Sequence, residues 1–189
     1  MPIILETLVA TLDAAGRPNI APMGITPEAG RIVLRPFAGG STWRNLREVG
    51  EGVVHFDDDV LVFARCALTP YVPPHRPATR VRGVILENAC HWQEFVVESA
   101  DLSDQRARFV ARVVATGRGR DFAGLSRARH AVLEATILAT RIQLTGKDPI
   151  LAELARLRPL VEKTGGPVEH EAFAFVADHV AAWTGPDAR

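Results

Sequence analysis

Two short turns dominate the first third of the chain. Asp13-Ala14-Ala15-Gly16 and Pro27-Glu28-Ala29-Gly30 separate three apolar runs, IILETLVATLD, PNIAPMGIT and RIVLRPF. Turns of this length join antiparallel neighbours, whereas parallel strands need a crossover of a dozen or more residues. The beginning of the chain therefore predicts an antiparallel meander rather than a series of βαβ units.

Further strand patterns follow up to residue 117. GVVHF resumes the sheet, and VRGVILENACHWQEFVVESAD holds one or two strands. In RARFVARVVATG, arginines alternate with Ala107, Phe109 and Ala111, so we expect a strand, with LSDQ as the hairpin turn before it. TPYVPPHRPAT carries four prolines and is predicted to be loop. Six or seven short strands are enough to close a small barrel.

Helix signals occur at two places inside this region and then throughout the last third. STWRNLREVG reads as a helix with Ser41 or Thr42 as N-cap and Gly50 at its end, and Asp59 is expected to cap a second helix. Three more helices are predicted after Ser126: SRARHAVLEATILATRIQLTG; PILAELARLRPLVEKTGG, capped by Asp148-Pro149 and kinked or interrupted at Pro159; and EHEAFAFVADHVAAW. The predicted fold is mainly β with α, an antiparallel barrel over 1–124 and a helical extension over 125–189 packed on it.

The charge balance and the cysteine count narrow the function classes. Lys and Arg number 22, as do Asp and Glu, so the formal net charge is zero, whereas nucleic-acid binders usually show a basic excess. No run reaches the roughly 18 apolar residues of a membrane span, and the N-terminus lacks a basic signal-peptide region. Two cysteines fit a reducing compartment. We expect a cytoplasmic protein that binds neither nucleic acid nor membrane.

The stretch LRPFAGGSTWRNLREVG has the composition of an anion site. Two glycines allow close backbone approach, and the start of the following helix presents unpaired N–H groups. Ser41 and Thr42 add hydroxyl donors, while Arg35 and Arg44 can grip a phosphate with two hydrogen bonds each. The alternative is a capped surface helix with solvated arginines.

The helix after Ser126 places ionisable residues on one stripe. Arg127, His130 and Glu134 are three, four or seven positions apart and share a face. A His–Glu pair at this spacing can orient an imidazole for proton transfer near neutral pH. The alternative is an exposed, salt-bridged helix face.

Other functional motifs do not fit the sequence. The histidines and cysteines lack the spacing of zinc sites, and the glycines after residue 116 do not form a dinucleotide fingerprint. FDDD, residues 56–59, could ligate a metal, but a capping aspartate explains it more simply. We therefore expect no metal site.

Several stretches together resemble a known family. APMG, LRPF...STWRNL, GEGVVHFDDDVLVFARCAL, CHWQEF and SRARHAVLEATILATRIQL are similar to the archaeal and bacterial family named domain of unknown function 447. The resemblance implies a flavin-binding split β-barrel, like flavin reductases and pyridoxamine-phosphate oxidases, that holds FMN as a homodimer. It implies the following cofactor-binding residues: Pro22, Met23 and Gly24 along the isoalloxazine; Arg35, Ser41, Thr42 and Asn45 at the phosphate and ribityl chain; Arg127 and His130 near the cofactor or dimer seam.

Three functional hypotheses follow. The first is an FMN-dependent oxidoreductase acting on an unidentified small substrate or electron donor, with His130 as the candidate proton donor. The second is a non-catalytic flavin-binding or dimerising module. The third, a nucleic-acid module built on Arg118, Arg120, Arg127 and Arg129, is disfavoured by the zero net charge. The sequence leaves open whether a deazaflavin or haem replaces FMN.

Overall fold

The computed structural model describes residues 2–185, whose contacts divide into two units. The first unit contains the chain up to Asp57 together with Val72–Phe122. The second contains Asp58–Tyr71 and the chain from Ala123 onward. The later transition lies two residues before the boundary expected from sequence, between residues 124 and 125. The sequence did not indicate that Asp58–Tyr71 groups with the C-terminal helices.

Antiparallel strands build the first unit. They are β1 Leu5–Leu12, β2 Pro18–Glu28, β3 Arg31–Leu34, β4 Glu51–Phe56, β5 His75–Pro77, β6 Val84–Leu86, β7 His91–Asp101 and β8 Arg108–Arg118. Six of these strands close a barrel in the order β1-β2-β3-β8-β7-β4, and β4 pairs back to β1. This confirms the predicted antiparallel barrel.

Alternating side chains fill the barrel interior. Val9, Val54, Phe95 and Phe109 belong to one buried cluster, and none is more than 1% exposed. Because side chains alternate across a strand, the predicted parity of β8 is confirmed, with Ala107, Phe109 and Ala111 all buried. β3 ends at Leu34, earlier than expected, since Pro36 has no N–H for the ladder.

The sequence predicted that the proline-rich segment is loop, but part of it forms a strand. β5 pairs with β6 in a two-stranded sheet, with His75 opposite Leu86 and Pro77 opposite Val84. β5 has three residues and pairs with a single neighbouring strand. It tolerates a proline because an edge strand needs ladder hydrogen bonds on only one side. We call residues 75–86 the outer hairpin.

Two helices interrupt the run of strands. α1 spans Ser41–Glu48, and Gly40 is its N-cap, so the prediction of a Ser41 or Thr42 cap is wrong. The chain leaves α1 through Gly50 at φ 71°, a left-handed conformation that glycine adopts without strain. α2 spans Val60–Leu68, and the Asp59 carboxylate accepts from the N–H groups of Leu61 and Val62, which confirms the predicted cap.

The C-terminal helices are α3 Arg127–Ala139, α4 Ile142–Thr145, α5 Lys147–Thr164 and α6 Pro167–Ala181. The Ser126 hydroxyl caps α3 as expected. The predicted single helix through Gly146 is instead split into α3 and α4. α5 begins at Lys147 with Gly146 as its N-cap rather than at Asp148-Pro149, and it continues past Pro159.

The second unit has its own hydrophobic core. Val132, Ala135, Phe173 and Val176 are among its buried residues, and α2 contributes Ala64. Within residues 2–185, no helix is both long enough and apolar enough to cross a membrane.

Candidate functional site

A cavity of about 550 Å³ lies between the β1–β2 turn and α1 in the first unit. We call it the turn–helix cavity. Its lining residues are Asp13, Ala14, Ala15, Arg17, Pro18, Asn19, Ser41, Arg44, Asn45 and Glu48. Its volume falls within the range of roughly 300–1,000 Å³ that is typical of small-molecule sites. The predicted phosphate-binding stretch therefore borders a real cavity.

Two arginines give this cavity its positive groups. Arg44, on the first turn of α1, donates to the Gly39 carbonyl and to the Ser41 hydroxyl at 3.3 Å. Arg17 donates from Nε to the Asp13 carboxylate at 2.7 Å. The backbone N–H and the guanidinium of Arg17 both hold the pKa of the Asp13 carboxyl below its ordinary value. Arg44 thus has no carboxylate partner among residues 2–185, whereas Arg17 does.

Thr42 and Asn45 face inward from α1 and attach it to the barrel. Asn19 donates to the Thr42 hydroxyl at 3.1 Å, and the Asn45 amide donates to the Thr11 hydroxyl at 3.0 Å. Both α1 side chains are buried. These bonds fix the helix that carries Ser41 and Arg44, and Asn45 also reaches the cavity wall.

The other predicted barrel contacts lie on strands. Pro22, Met23 and Gly24 occupy the middle of β2 and are half-buried, and the Thr7 hydroxyl donates to the Met23 carbonyl at 2.7 Å. Arg35 follows β3 and is exposed, and it is not one of the residues lining the turn–helix cavity. The cofactor roles of these residues stay predictions.

The stripe on α3 has the predicted orientation. Arg127, His130 and Glu134 are exposed, while Val132 and Ala135 on the opposite side are buried. They belong to the second unit. The structure therefore supports the stripe as a surface, and the predicted roles of Arg127 and His130 toward a cofactor stay predictions.

The proposed nucleic-acid arginines are mostly ion-paired. Arg120 contacts Asp57 at 2.6 Å, and Arg129 contacts Asp58 at 2.7 Å and Glu169 at 2.9 Å. The aspartates of FDDD thus serve as ion-pair partners and, for Asp59, as a helix cap.

Sequence reasoning missed one wall of the turn–helix cavity. Asp13, Arg17 and Asn19 were interpreted as turn and strand residues, and the cavity exists because β1, β2 and α1 meet. The only local signal was the turn itself, since Arg17 lies 27 positions before Arg44.

Comparison with known proteins identifies the family. The N-terminal domain model of the protein of unknown function DUF447 matches residues 5–120, and the DUF447 C-terminal model matches residues 126–178. The chain belongs to the DUF447 family. This confirms the resemblance drawn from the sequence. No curated protein matches the chain significantly.

Solved structures agree with this assignment. An FMN-bound DUF447 protein of Methanosarcina mazei is 28% identical, with a TM-score of 0.79 over 95% of this chain and 96% of that one. Nitrilotriacetate monooxygenase component B of Bacillus cereus is 21% identical, with a TM-score of 0.53 over 62% of this chain and 71% of that one. Flavoredoxin of Desulfovibrio vulgaris is 14% identical, with a TM-score of 0.54 over 62% and 70%. The latter two share the barrel fold, which confirms the predicted split-barrel class.

Proposed function

We propose that this DUF447 protein binds FMN and acts as an oxidoreductase. The observation that carries the proposal is its similarity, over 95% of its length, to an FMN-bound member of the same family. The sequence-based prediction of FMN rests on the same resemblance. Bound FMN supplies hydride and electron transfer, while the protein supplies binding, orientation and electrostatics.

The turn–helix cavity has the donors that a phosphate requires. Arg44 and Arg17 offer guanidinium forks, Ser41 offers a hydroxyl, and the cavity also borders the Asn19 and Asn45 amides. Of the two carboxyls that line the cavity, Asp13 pairs with Arg17, which holds the pKa of Asp13 below its ordinary value, and Glu48 forms no ion pair among residues 2–185. The donors of the cavity therefore fit the phosphate end of FMN. A contact of Arg35, which does not line the cavity, with the same phosphate is a separate proposal.

Removing a phosphate contact should affect FMN but not riboflavin. We expect Arg44→Ala and Arg35→Ala each to weaken FMN binding by about 10- to 150-fold, or roughly 1.5–3 kcal/mol, because each loses a charge-assisted hydrogen bond. Riboflavin lacks the phosphate and should bind both variants as it binds wild type. Fluorescence titration measures both ligands, with Arg156→Ala as the surface control. Equal losses for the two flavins would show that the arginine supports the fold instead.

Oxidoreductase activity is tested by reduction of the bound flavin. We expect the flavin absorbance of the FMN-loaded protein to bleach under anaerobic conditions when NADH or NADPH is added. Bound FMN that neither these nucleotides nor a panel of other physiological reductants can reduce would favour the non-catalytic flavin-binding module. Both hypotheses require the same cofactor pocket, so FMN binding alone does not separate them. Reduction of the bound flavin does.

A homodimer is the proposed assembly. Ile3, Ile4, Phe37 and Phe122 in the first unit are large apolar residues that are more than half exposed and are available to a self-complementary interface. We expect light scattering at micromolar concentration to give a mass near twice 20.5 kDa. A stable monomer mass at micromolar concentration would contradict the dimer.

The proposed location is the cytoplasm, since Cys66 and Cys90 are not joined in a disulfide.

The role proposed for His130 is proton donation during flavin turnover. We expect flavin reduction or reoxidation rates in wild type to vary with pH, and His130→Gln to lose that variation. FMN affinity should change little, because an amide can replace one imidazole contact. A pH–rate profile unaltered by the substitution would end the catalytic interpretation of His130.

A further inference from the structure

The outer hairpin lies against the outside of the barrel. Val54 and Phe95 point into the barrel core, so Val53, His55 and Glu94 on the same two strands point outward. The hairpin covers these outward residues. A Cβ on Gly83 would lie 3.0 Å from Val53, and the Leu86 N–H donates to His55 Nε2 at 3.2 Å.

Two carboxylates of the barrel hold the backbone of the hairpin turn. Glu94 is 1% exposed and accepts from the Thr79 hydroxyl at 2.6 Å and from the Arg80 N–H at 2.6 Å. The Thr79 N–H donates to the same carboxylate at 3.1 Å, and the Arg82 N–H donates to Glu51. Burial alone would raise the pKa of the Glu94 carboxyl, but these hydrogen bonds outweigh it and lower the pKa. The turn is therefore fixed by two carboxyl side chains that accept hydrogen bonds from its N–H groups.

The guanidinium groups of the same hairpin are left for other partners. Arg76, Arg80 and Arg82 are exposed, and none forms an ion pair with any residue between 2 and 185. Arg76 lies over the Trp92 ring, 5.1 Å from its centroid. Arg80 and Arg82 are two positions apart, so their Cα atoms are at most about 7 Å apart. The neighbouring carboxylates of Glu51 and Glu94 bind backbone, so Arg80 and Arg82 on the turn and Arg76 on β5 have no carboxylate partner among residues 2–185.

We propose that the outer hairpin is a binding site for the phosphate groups of a nucleotide, held by Arg76, Arg80 and Arg82. Guanidinium forks match phosphate oxygens in pairs, and a turn already fixed by Glu94 loses little entropy when a ligand binds. A small phosphorylated ligand is favoured over nucleic acid because the chain as a whole has no net charge. The site is distinct from the turn–helix cavity, with which it shares no residue.

Calorimetry with ADP, inorganic pyrophosphate and adenosine tests this site. We expect ADP and pyrophosphate to bind wild type and adenosine not to bind. The double variant Arg80→Gln/Arg82→Gln should weaken both phosphate ligands by about 100-fold, roughly 10-fold for each arginine. The matched control, Arg141→Gln/Arg156→Gln, removes the same charge from exposed positions in the second unit and should change either affinity less than about 2-fold.

Four results would overturn the proposal. The first is that ADP does not bind wild type, and the second is that adenosine binds as tightly as ADP. The third is that the two double variants lose ADP affinity equally. The fourth is that duplex DNA binds through the hairpin arginines and is not displaced by ADP. FMN affinity is measured in the same variants and should not change. A protein that binds ADP through the hairpin but no FMN would support this inference while contradicting the proposed function.

Discussion

Arg129→Met should destabilise the helical unit by about 3–5 kcal/mol, the usual effect of removing one partner from a buried ion pair. The Arg129 side chain is 25% exposed and lies between Asp58, which is 5% exposed, and Glu169, which is 11% exposed. Its Nη1 atom contacts Asp58 at 2.7 Å, and its Nε atom contacts Glu169 at 2.9 Å. Methionine keeps much of the volume, so the loss comes from removing the Arg129 charge and its hydrogen bonds from two poorly exposed carboxylates. Urea unfolding measures the effect.

A pH series distinguishes lost charge from lost packing. Burial favours a raised pKa for the Glu169 carboxyl, but hydrogen bonds from Arg129 and the Gly166 N–H hold it below its ordinary value. Without Arg129, the pKa of the Glu169 carboxyl should rise, and the folded variant should bind protons more readily than folded wild type does. The difference in the free energy of unfolding between wild type and Arg129→Met should therefore shrink as pH falls from about 7.5 toward 4.5.

The control for this experiment is Arg156→Met, which breaks an exposed pair with Glu153 at i, i+3. Its effect should stay within about 0.5 kcal/mol. A deficit for Arg129→Met that is equally small, or that is independent of pH, would contradict the ionic account of the helical unit.

His55 should make the barrel sensitive to mild acid. The ring is fully buried, with Nδ1 3.2 Å from the Leu8 carbonyl and Nε2 accepting from the Leu86 N–H at 3.2 Å. This arrangement requires a neutral imidazole with its proton on Nδ1. Burial lowers the pKa of His55 to about 4. In the unfolded chain, His55 has a pKa near 6.5, so below that pH it binds a proton there but not in the folded state. The free energy of unfolding therefore falls by about 3 kcal/mol between pH 6.5 and pH 4.

His55→Gln isolates this effect, because an amide can both donate to Leu8 and accept from Leu86 but does not titrate. We expect the variant to lose less stability than wild type between pH 6.5 and 4.5, a window above most carboxyl titrations. His91, whose pKa is also lowered by burial, is present in both proteins and cancels. Parallel pH profiles for the two proteins would show that His55 is not the sensitive group.

Local patterns gave the barrel and the caps because their causes are local. Alternation in β8 predicted the buried Phe109, and a single aspartate or serine before an apolar run predicted the caps of α2 and α3. The split-barrel topology was predicted from the sequence stretches that resemble the DUF447 family, because the alternation of apolar and polar residues does not determine strand order. The predicted caps of α1 and α5 were wrong, because Gly40 and Gly146 occupy these two N-cap positions.

Contacts between distant residues escaped the sequence. Arg129 meets Asp58 across 71 positions, and the Glu94 carboxylate reaches back 15 positions to Thr79. Neither pairing leaves a periodic signal, since each partner is a single charged residue within an otherwise ordinary segment. The outer hairpin was obscured in the same way, because prolines that usually end strands are tolerated on its short edge.

Titration of the purified protein with FMN and with riboflavin tests the central claim most directly. If FMN is the cofactor and Arg44 and its neighbours hold the phosphate, FMN should bind at one per chain. Its affinity should exceed that of riboflavin by at least about 10-fold. Absence of FMN binding, or equal affinity for the two flavins, would contradict the assignment of the turn–helix cavity as a phosphate site on a flavin-binding barrel.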